Sequence, residues 1–247
     1  MNPRCLLAGA AGHYLFVSSI SVYASLAAPN DEDSPLAELG DLPEDRLTED
    51  YSNYGPLKVL CETAVAESFG EEHAIVRPGL IVGAHDPTGR FTYWPHRVAR
   101  GGEFAVPAPP ENCVQFVDAR DLGAWMIDLV ERRASGVFNA TRPRVSWAEL
   151  VAAAVDVTRS DAEPVWIPGD WLAEQGVGQW MELPMWLHDR DVVGLNQADV
   201  TRALRAGLSF RSVEETIRGA LDHAETTDDA GIKPKREREL IEAWRRG

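Results

Sequence analysis

Tyr54 and Lys58 are the two residues whose types and spacing most directly suggest chemistry. Residues four apart on a helix project from the same face, so a helix here would hold a phenol and an ammonium together. A free phenol has a pKa of about 10 and is a poor base near neutral pH, but a nearby ammonium favours the phenolate. Such a pair could exchange a proton with a substrate hydroxyl. It also occurs by chance on many helices, where it is an ordinary surface pair.

A cluster of hydroxyls lies upstream of this pair. The segment 14–23 reads Tyr-Leu-Phe-Val-Ser-Ser-Ile-Ser-Val-Tyr, so Ser18, Ser19 and Ser21 come at the end of an apolar run. The nearly continuous apolar residues of 14–19 predict a parallel strand that is buried on both faces. Hydroxyls at the end of such a strand could orient a substrate oxygen.

The elements that must position these residues alternate between strand and helix. Apolar spacing predicts a helix over 54–69, which Gly70 would end, and a second strand over 74–78 that continues into 79–83. Strand, helix and strand in this order form a right-handed crossover unit, so we expect an α/β core. Downstream, the patterns predict strands at 114–117 and 136–140. They predict a helix at 118–132 with Asp121 as its cap, and another that begins at a Ser146–Glu149 capping box and ends at about 157. Further helices are predicted at 91–101 and near 197–206, 213–225 and 235–245.

In order and spacing, these motifs resemble the extended short-chain dehydrogenase/reductase family, which includes the NAD-dependent epimerases and dehydratases. The resemblance implies that Tyr54 is the catalytic acid/base, that Lys58 is its electrostatic partner and that Ser19 orients the reacting oxygen. It covers roughly residues 13–225 and is most specific over 14–24, 54–62, 75–83 and 114–123.

Two assignments within this resemblance have alternatives. Ser18 and Ser21 are the other candidates for the catalytic serine. Tyr51 is not assigned as the catalytic tyrosine, because position 55, four residues on, is glycine rather than lysine.

The resemblance also implies a cofactor and a substrate region. The cofactor would be NAD or NADP, held by Tyr54 and Lys58 and, on the carboxamide side of the nicotinamide, by Pro78, Gly79, Leu80 and Ile81. Relatives bind a sugar nucleotide or another hydroxylated small molecule in the next region, in which Arg90, Tyr93, Arg97 and Gln115 are candidate substrate residues. An arginine there could pair with a phosphate, and ordinary packing or solvation is the alternative for each of the four.

The expected fold is a partial Rossmann-type parallel sheet that lacks its N-terminal part, with a smaller C-terminal α/β substrate lobe. Residues 1–83 would form the remaining part of the dinucleotide-binding domain. Residues 84–247 would form mainly the substrate lobe, with 114–141 returning to the Rossmann sheet.

The glycines at 9 and 12 superficially resemble a dinucleotide-binding loop. Such a loop needs a strand before it and a helix after it, whereas here the predicted strand at 14–19 follows. We therefore interpret both glycines as a turn. Either the true start lies upstream, another chain supplies the missing strands, or this chain is a remnant with weak cofactor affinity. The alternative to an enzyme is accordingly a catalytically silent binding or oligomerisation module, and relatives suggest a homodimer through the helix at 54–69.

Composition narrows the remaining classes of function. The net charge is −15 and there is no compensating basic stripe, which disfavours nucleic-acid binding. No run approaches the roughly 18 apolar residues of a membrane span, and we expect a cytoplasmic protein. The three cysteines are far apart and suggest no disulfide framework, and the six histidines show no metal-ligand spacing.

Overall fold

The computed structural model describes residues 10–40, 53–223 and 230–247, and its contacts divide the chain into two units. The first comprises Met1–Leu80, Arg120–Pro143 and Asp191–Phe210, and the second Ile81–Ala119, Arg144–Arg190 and Arg211–Gly247. The first unit thus includes 120–143, whereas 114–119 belong to the second unit. Residues 191–210 also belong to the first unit, which the sequence analysis does not predict.

The elements follow one another along the chain. In order they are β1 (Tyr14–Val17), a 3-10 turn (Ile20–Val22), α1 (Tyr54–Phe69), β2 (His73–Pro78), β3 (Leu80–Val82), α2 (Tyr93–Ala99), β4 (Glu103–Ala108), β5 (Cys113–Val114), β6 (Phe116–Asp118), α3 (Ala119–Glu131), β7 (Gly136–Ala140), β8 (Val145–Ser146), α4 (Trp147–Thr158), β9 (Glu163–Pro168), α5 (Gly169–Glu174), β10 (Gln179–Trp180), β11 (Leu183–Pro184), a second 3-10 turn (Val193–Asn196), α6 (Thr201–Arg205), α7 (Val213–His223) and α8 (Pro234–Arg246).

The first unit is built on a three-stranded parallel sheet in the order β1-β2-β7. The central strand, β2, is buried over its last five residues because it has a neighbour on each side. Phe16 pairs with Ile75 in β2, and Ile75 pairs with Val137 in β7. This is the partial Rossmann-type α/β arrangement that the sequence predicts, and all three strands end at the same edge.

Helix α1 has the bounds that its apolar spacing predicts. Pro56 lies in the first turn, where a missing N–H is tolerated, and Gly70 ends the helix with a positive φ of 56° while its N–H bonds to the carbonyl of Ala66. The core beneath the first turn of α1 is the cluster Ile20, Val22, Tyr23 and Ala198, which Leu26, Leu36, Val59 and Leu195 extend.

The second unit is organised around β4 and β9, which pair in parallel from Glu103 with Glu163 to Ala108 with Pro168. Neither strand was predicted, because prolines at 107, 164 and 168 interrupt both segments. The Ser146–Glu149 capping box at the start of α4 is confirmed. The aromatic core of this unit includes Trp94 against Trp147, with ring centroids 4.7 Å apart.

Three sequence predictions differ from the structure in detail. The helix expected over 91–101 is confined to Tyr93–Ala99, because Gly101 and Gly102 adopt positive φ and turn the chain into β4. Asp121 lies in the first turn of α3 and is not its cap, since the helix already begins at Ala119. The helix expected near 197–206 is the short α6.

None of the described helices is long and apolar enough to cross a membrane.

Candidate functional site

The carboxyl edge of the first unit's sheet gathers polar groups from three strands. Ser18 and Ser19 follow β1, Gly79 follows β2 and Thr141 follows β7. In open parallel sheets, ligands bind beyond the carboxyl ends of the strands. The serine cluster and part of the predicted nicotinamide segment therefore lie at the edge of the sheet where ligands bind in folds of this kind.

Ser19 is held at this edge by the turn that it begins. Its backbone is extended, its Oγ accepts the N–H of Ser21 at 3.1 Å, and its hydroxyl donates to Ser21 Oγ at 3.1 Å. This is an N-cap on a single 3-10 turn. Ser18, by contrast, is buried, and its Oγ has no hydrogen-bond partner among the described residues. The geometry gives each of the three serines a distinct environment.

Helix α1 is fixed to the sheet at both ends and in the middle. At its C-terminal end, Phe69 stacks on Tyr14 with ring centroids 4.7 Å apart. At its N-terminal end, the Nζ of Lys58 donates to the carbonyl of Val17 at 3.1 Å. Because Tyr14 begins β1 and Val17 ends it, α1 runs antiparallel to β1 and brings its first turn to the carboxyl edge.

Lys58 lies close to the aromatic rings of Tyr54 and Phe16. The Lys58 ammonium lies 5.8 Å from the centre of the Tyr54 ring and 5.1 Å from that of Phe16. Both distances fall within the range of a cation–π contact. The bond to Val17 thus places the positive charge next to the phenol and at the end of the strand that carries the serines.

Gly55 allows the first turn of α1 to lie against the serine turn. A Cβ at this position would be 2.1 Å from the carbonyl oxygen of Ser21, a separation at which the backbone would have to move. Position 55 is buried between the two elements. The glycine that follows Tyr54 therefore sets how closely the tyrosine helix approaches the serine turn.

A buried polar network supports the middle of α1. Arg77 on β2 donates from Nε to Glu62 Oε1 at 3.0 Å and from Nη2 to Glu62 Oε2 at 2.7 Å, and both residues are less than 5% exposed. A bidentate pair of this kind fixes direction as well as distance. It joins α1 to the central strand four residues beyond Lys58.

The same network continues into the loop after the serines. Nη1 of Arg77 donates to the hydroxyl of Tyr23 at 3.2 Å, which itself donates to Asn139 Oδ1 at 2.6 Å. The N–H of Asn139 donates to Glu32 Oε1 at 2.8 Å. Burial raises the pKa of Tyr23, and burial also raises that of Glu32 against the opposing hydrogen bond from Asn139.

The segment predicted to meet the nicotinamide begins where β2 ends. Pro78 is buried, Gly79 donates its N–H to the carbonyl of Ala140 at 3.3 Å, and Ile81 is 39% exposed. A Cβ at Gly79 would lie 2.9 Å from Thr141 Oγ1, so a small residue is needed here. Thr141 Oγ1 itself is buried without a hydrogen-bond partner among the described residues.

The four predicted substrate residues lie in the second unit and have diverse surroundings. The guanidinium of Arg90 stacks on Trp180, 4.6 Å from the ring centre, and Gln115 is 4% exposed. Burial raises the pKa of Tyr93, so its phenol stays protonated. Arg97 donates to Glu237 Oε2 at 2.7 Å and to the carbonyls of Gly101 and Glu103. These protein contacts account for the burial of Arg97, and its substrate role stays a prediction.

Two residues discussed in the sequence analysis lie outside the described residues, namely Gly9 of the predicted glycine turn and Tyr51, which is not assigned as the catalytic tyrosine. Gly12 is described, and β1 follows it within two residues. Sequence reasoning missed Gly55, Glu62, Arg77 and Thr141. The spacing from Lys58 to Glu62, one further helical turn, could have singled out the carboxylate, but nothing in the sequence pairs it with Arg77.

No protein-family model matches this sequence, and no curated protein matches it. Its fold is nevertheless shared with solved enzyme structures. The UDP-glucuronic acid 4-epimerase of Bacillus cereus, in complex with NAD, is 14% identical with a TM-score of 0.58, and the match covers 89% of this chain and 64% of that one. The enzyme WbmH of Bordetella bronchiseptica, in complex with NAD⁺, is 18% identical with a TM-score of 0.61 over 89% and 65%. The UDP-glucose 4-epimerase of Thermotoga maritima, with UDP-glucose, is 18% identical with a TM-score of 0.56 over 89% and 67%.

The chain spans about two thirds of the length of these proteins. The likeness confirms the α/β fold that the sequence resemblance implies, because these solved structures share it.

Proposed function

We propose that this chain is an NAD(P)-dependent oxidoreductase or epimerase of the extended short-chain dehydrogenase/reductase type, acting on a hydroxylated substrate. The observation that carries the proposal is the position of Lys58. Its ammonium bonds to the last residue of the serine strand and lies beside the Tyr54 ring. A chance Tyr-x-x-x-Lys pair on a surface helix would have no reason to meet the end of that strand.

The residues at the carboxyl edge fit the nicotinamide end of the cofactor. Tyr54, Lys58 and the segment 78–81 would hold it. The close approach of Gly79 to Thr141 keeps side-chain bulk out of that segment. A bound nicotinamide supplies the chemistry of accepting a hydride from the substrate carbon or returning one to it.

Tyr54 would transfer the accompanying proton, and Ser19 would orient the substrate oxygen. The Tyr54 phenolate takes the proton of the substrate hydroxyl when the carbon is oxidised and returns it when the carbon is reduced. Lys58 is the proposed electrostatic partner of Tyr54, because its ammonium lies beside the ring. Ser19 would hydrogen-bond the same substrate oxygen and orient it, in place of the bond that its hydroxyl donates to Ser21 Oγ.

The substrate class that we propose is a sugar nucleotide. Two solved structures with this fold are named as epimerases of UDP sugars. Arg90, Tyr93, Arg97 and Gln115 are the residues proposed to select it. Of these, Arg90 has a stacking partner of its own in Trp180, which would hold its guanidinium plane in a fixed orientation for a phosphate.

Turnover of a panel of sugar nucleotides with NAD⁺ or NADP⁺, followed by nicotinamide absorbance and by product analysis, tests this function. We expect Tyr54→Phe to lower kcat by at least about 100-fold, the lower end of what a positioned acid/base contributes, with an unchanged unfolding midpoint. Tyr14→Phe is the matched control, because its ring stacks on Phe69 at the other end of α1. Turnover that survives in Tyr54→Phe would refute the assignment.

A second candidate function is a binding or oligomerisation module that assembles through α1. The motivating observation is that α1 exposes 48% of Leu60, next to the exposed Cys61. A second copy of the same helix would cover this apolar surface. Analytical sedimentation of the chain should show a dimer, and Leu60→Glu should dissociate it. The control is Leu204→Glu, because Leu204 is 43% exposed on α6, and this variant should remain a dimer. A monomeric parent chain would contradict the interface.

A further inference from the structure

The 3-10 turn that Ser19 begins, the serine turn, is followed by a loop that closes back on it. The N–H of Ala37 donates to the carbonyl of Val22, the last residue of that turn, at 2.7 Å. The next residue, Tyr23, forms an antiparallel bridge with Leu36. The chain between these contacts is therefore a closed loop whose base is the end of the serine turn.

Glu32 lies in this loop and turns its carboxylate inward. Its side chain is 2% exposed, whereas that of the next residue, Asp33, is 75% exposed. Glu32 Oε1 accepts the N–H of Asn139 on β7 at 2.8 Å, and its Oε2 lies 3.5 Å from Nε of Arg202 on α6. One buried carboxylate thus joins the loop to β7 and to α6.

Asn139 links Glu32 to the residue that follows the serine turn. It is fully buried, and its Oδ1 accepts the hydroxyl of Tyr23 at 2.6 Å. Arg77 makes a second link, because its Nη1 donates to the hydroxyl of Tyr23 at 3.2 Å and to the carbonyl of Glu32 at 3.4 Å. Glu32 is therefore connected to the end of the serine turn by two hydrogen-bonded routes.

The cations near Glu32 compensate its charge only in part. The guanidinium of Arg77 is paired with Glu62 and bonds to both of its carboxylate oxygens. The side chain of Arg202 is 41% exposed and is shared between Glu32 and Asp33. A buried carboxylate that is compensated in part depends on its hydrogen bonds to stay ionised.

The surroundings of Glu32 also separate its titration from that of its neighbours. Burial raises its pKa above the ordinary value of 4.5, the nearby Asp199 carboxylate adds to the rise, and the bond from Asn139 and the charge of Arg202 oppose it. Hydrogen bonds lower the pKa of Asp199, and burial raises that of the Tyr23 phenol. As the pH falls, Glu32 therefore gains its proton before Asp199 does.

A purely structural explanation accounts for part of this arrangement. As a loop anchor alone, Glu32 would contribute to stability and would leave the serine turn where it is. The two routes to Tyr23 add something else, because a change at the Glu32 carboxylate alters the partners of the residue that continues directly from the turn.

We propose that ionised Glu32 is a positioning residue for Ser19. Its carboxylate binds the N–H of Asn139 more strongly than a neutral carboxyl group would, because hydrogen bonds to ionised acceptors are the stronger ones. Loss of the charge loosens Asn139 and Tyr23, and the serine turn then shifts together with the Ser19 hydroxyl that caps it. The shift of the turn does not depend on catalysis, whereas its effect on turnover rests on the proposed function.

Amide resonances of the full chain, labelled with ¹⁵N, test this link. We expect the resonances of Asn139 and of Ser21, whose N–H donates to Ser19 Oγ at 3.1 Å, to move together as the pH falls. Their common midpoint should lie above 4.5, and Glu32→Gln should remove both movements. A loop anchor alone would move the Asn139 resonance and leave that of Ser21 unchanged.

Two further variants keep this test decisive. Asp33→Asn is the matched control, because Asp33 is the adjacent acid, pairs with the same arginine and is exposed, and it should retain both movements. Arg202→Gln should raise the common midpoint, because it removes the cation that lowers the pKa of Glu32. Since Arg202 is half-exposed, this variant decides the proposal even if Glu32→Gln does not fold.

Turnover supplies a second readout. Glu32→Gln should lower kcat by about tenfold or more and leave KM nearly unchanged, because misplacing an orienting group affects mainly the chemical step. Asp33→Asn should alter neither. The proposal is overturned if the Ser21 resonance does not follow the midpoint of Asn139, or if Glu32→Gln and Asp33→Asn behave alike. A parent chain without turnover would count against the activity proposed for Tyr54, and the resonances would still decide the role of Glu32.

Discussion

Gly55 is the residue on which the placement of Tyr54 depends most directly. It stands next to the tyrosine in the first turn of α1, and its missing side chain allows the carbonyl of Ser21 to approach. Glycine in a helix ordinarily costs about 1 kcal/mol relative to alanine. Here the glycine allows the tyrosine helix to lie close to the serine turn. The proposed chemistry requires this close approach.

Replacing Gly55 by Ala should therefore destabilise the protein although alanine is the better helix former. The new Cβ would meet backbone at 2.1 Å, and overpacking of this kind costs about 1–3 kcal/mol. Chemical denaturation measures the change in the free energy of unfolding.

Gly123→Ala is the matched control for this prediction. Gly123 lies within α3, and a Cβ there would meet no heavy atom within 4 Å. Alanine should stabilise the protein at this position by about 0.4–1 kcal/mol. Equal effects of the two substitutions would show that the contact between Gly55 and Ser21 does not constrain the helix.

At the scale of elements, three contacts fix the position of helix α1 on the sheet. Phe69 stacks on the start of β1, Lys58 bonds to its end, and Glu62 pairs with Arg77 on β2. Of these contacts, the buried ion pair is the one that resists rotation of the helix, because its bidentate geometry fixes direction.

Glu62→Gln tests that contact. The substitution leaves the Arg77 guanidinium buried without its counter-charge, and breaking a buried pair costs about 3–5 kcal/mol. The matched control is Asp128→Asn, which makes the same chemical change in the exposed Asp128–Arg132 pair of α3 and should cost less than about 1 kcal/mol. Urea unfolding measures the free energy of unfolding of both variants. Similar losses of stability in the two would contradict a supporting role for the Glu62–Arg77 pair.

The sequence predicted the elements that carry their pattern locally. Helix α1 was predicted with its observed bounds, because its apolar spacing, Pro56 and Gly70 all lie within one segment. The parallel strands β4 and β9 were missed, because their prolines hide a pairing between segments 60 residues apart. The ion pair between Arg77 and Glu62 and the close approach of Gly55 to Ser21 are tertiary contacts. Local sequence patterns do not predict such contacts.

At the scale of the whole molecule, each unit is assembled from three stretches of chain. The stretch 120–143 supplies β7 to the first unit, and 191–210 supplies Asp199, whose carbonyl accepts from the side chain of Asn139. The sheet that carries the candidate site is therefore completed by residues far downstream of Ser19, Tyr54 and Lys58. The final helix, α8, lies beyond the stretch that resembles the family and contributes Glu237 to the core of the second unit.

Cofactor binding by the chain tests the central claim most directly. Thermal or chemical unfolding would be followed with NAD⁺, NADH, NADP⁺ and NADPH at millimolar concentration, for the parent chain, Lys58→Met and the control Lys235→Met. We predict that at least one dinucleotide stabilises the parent chain, by about 2.7 kcal/mol at 100 times its Kd. Lys58→Met should lose most of this stabilisation, and Lys235→Met should retain it. No stabilisation by any of the four, or undiminished stabilisation of Lys58→Met, would contradict a nicotinamide site at the carboxyl edge of the sheet.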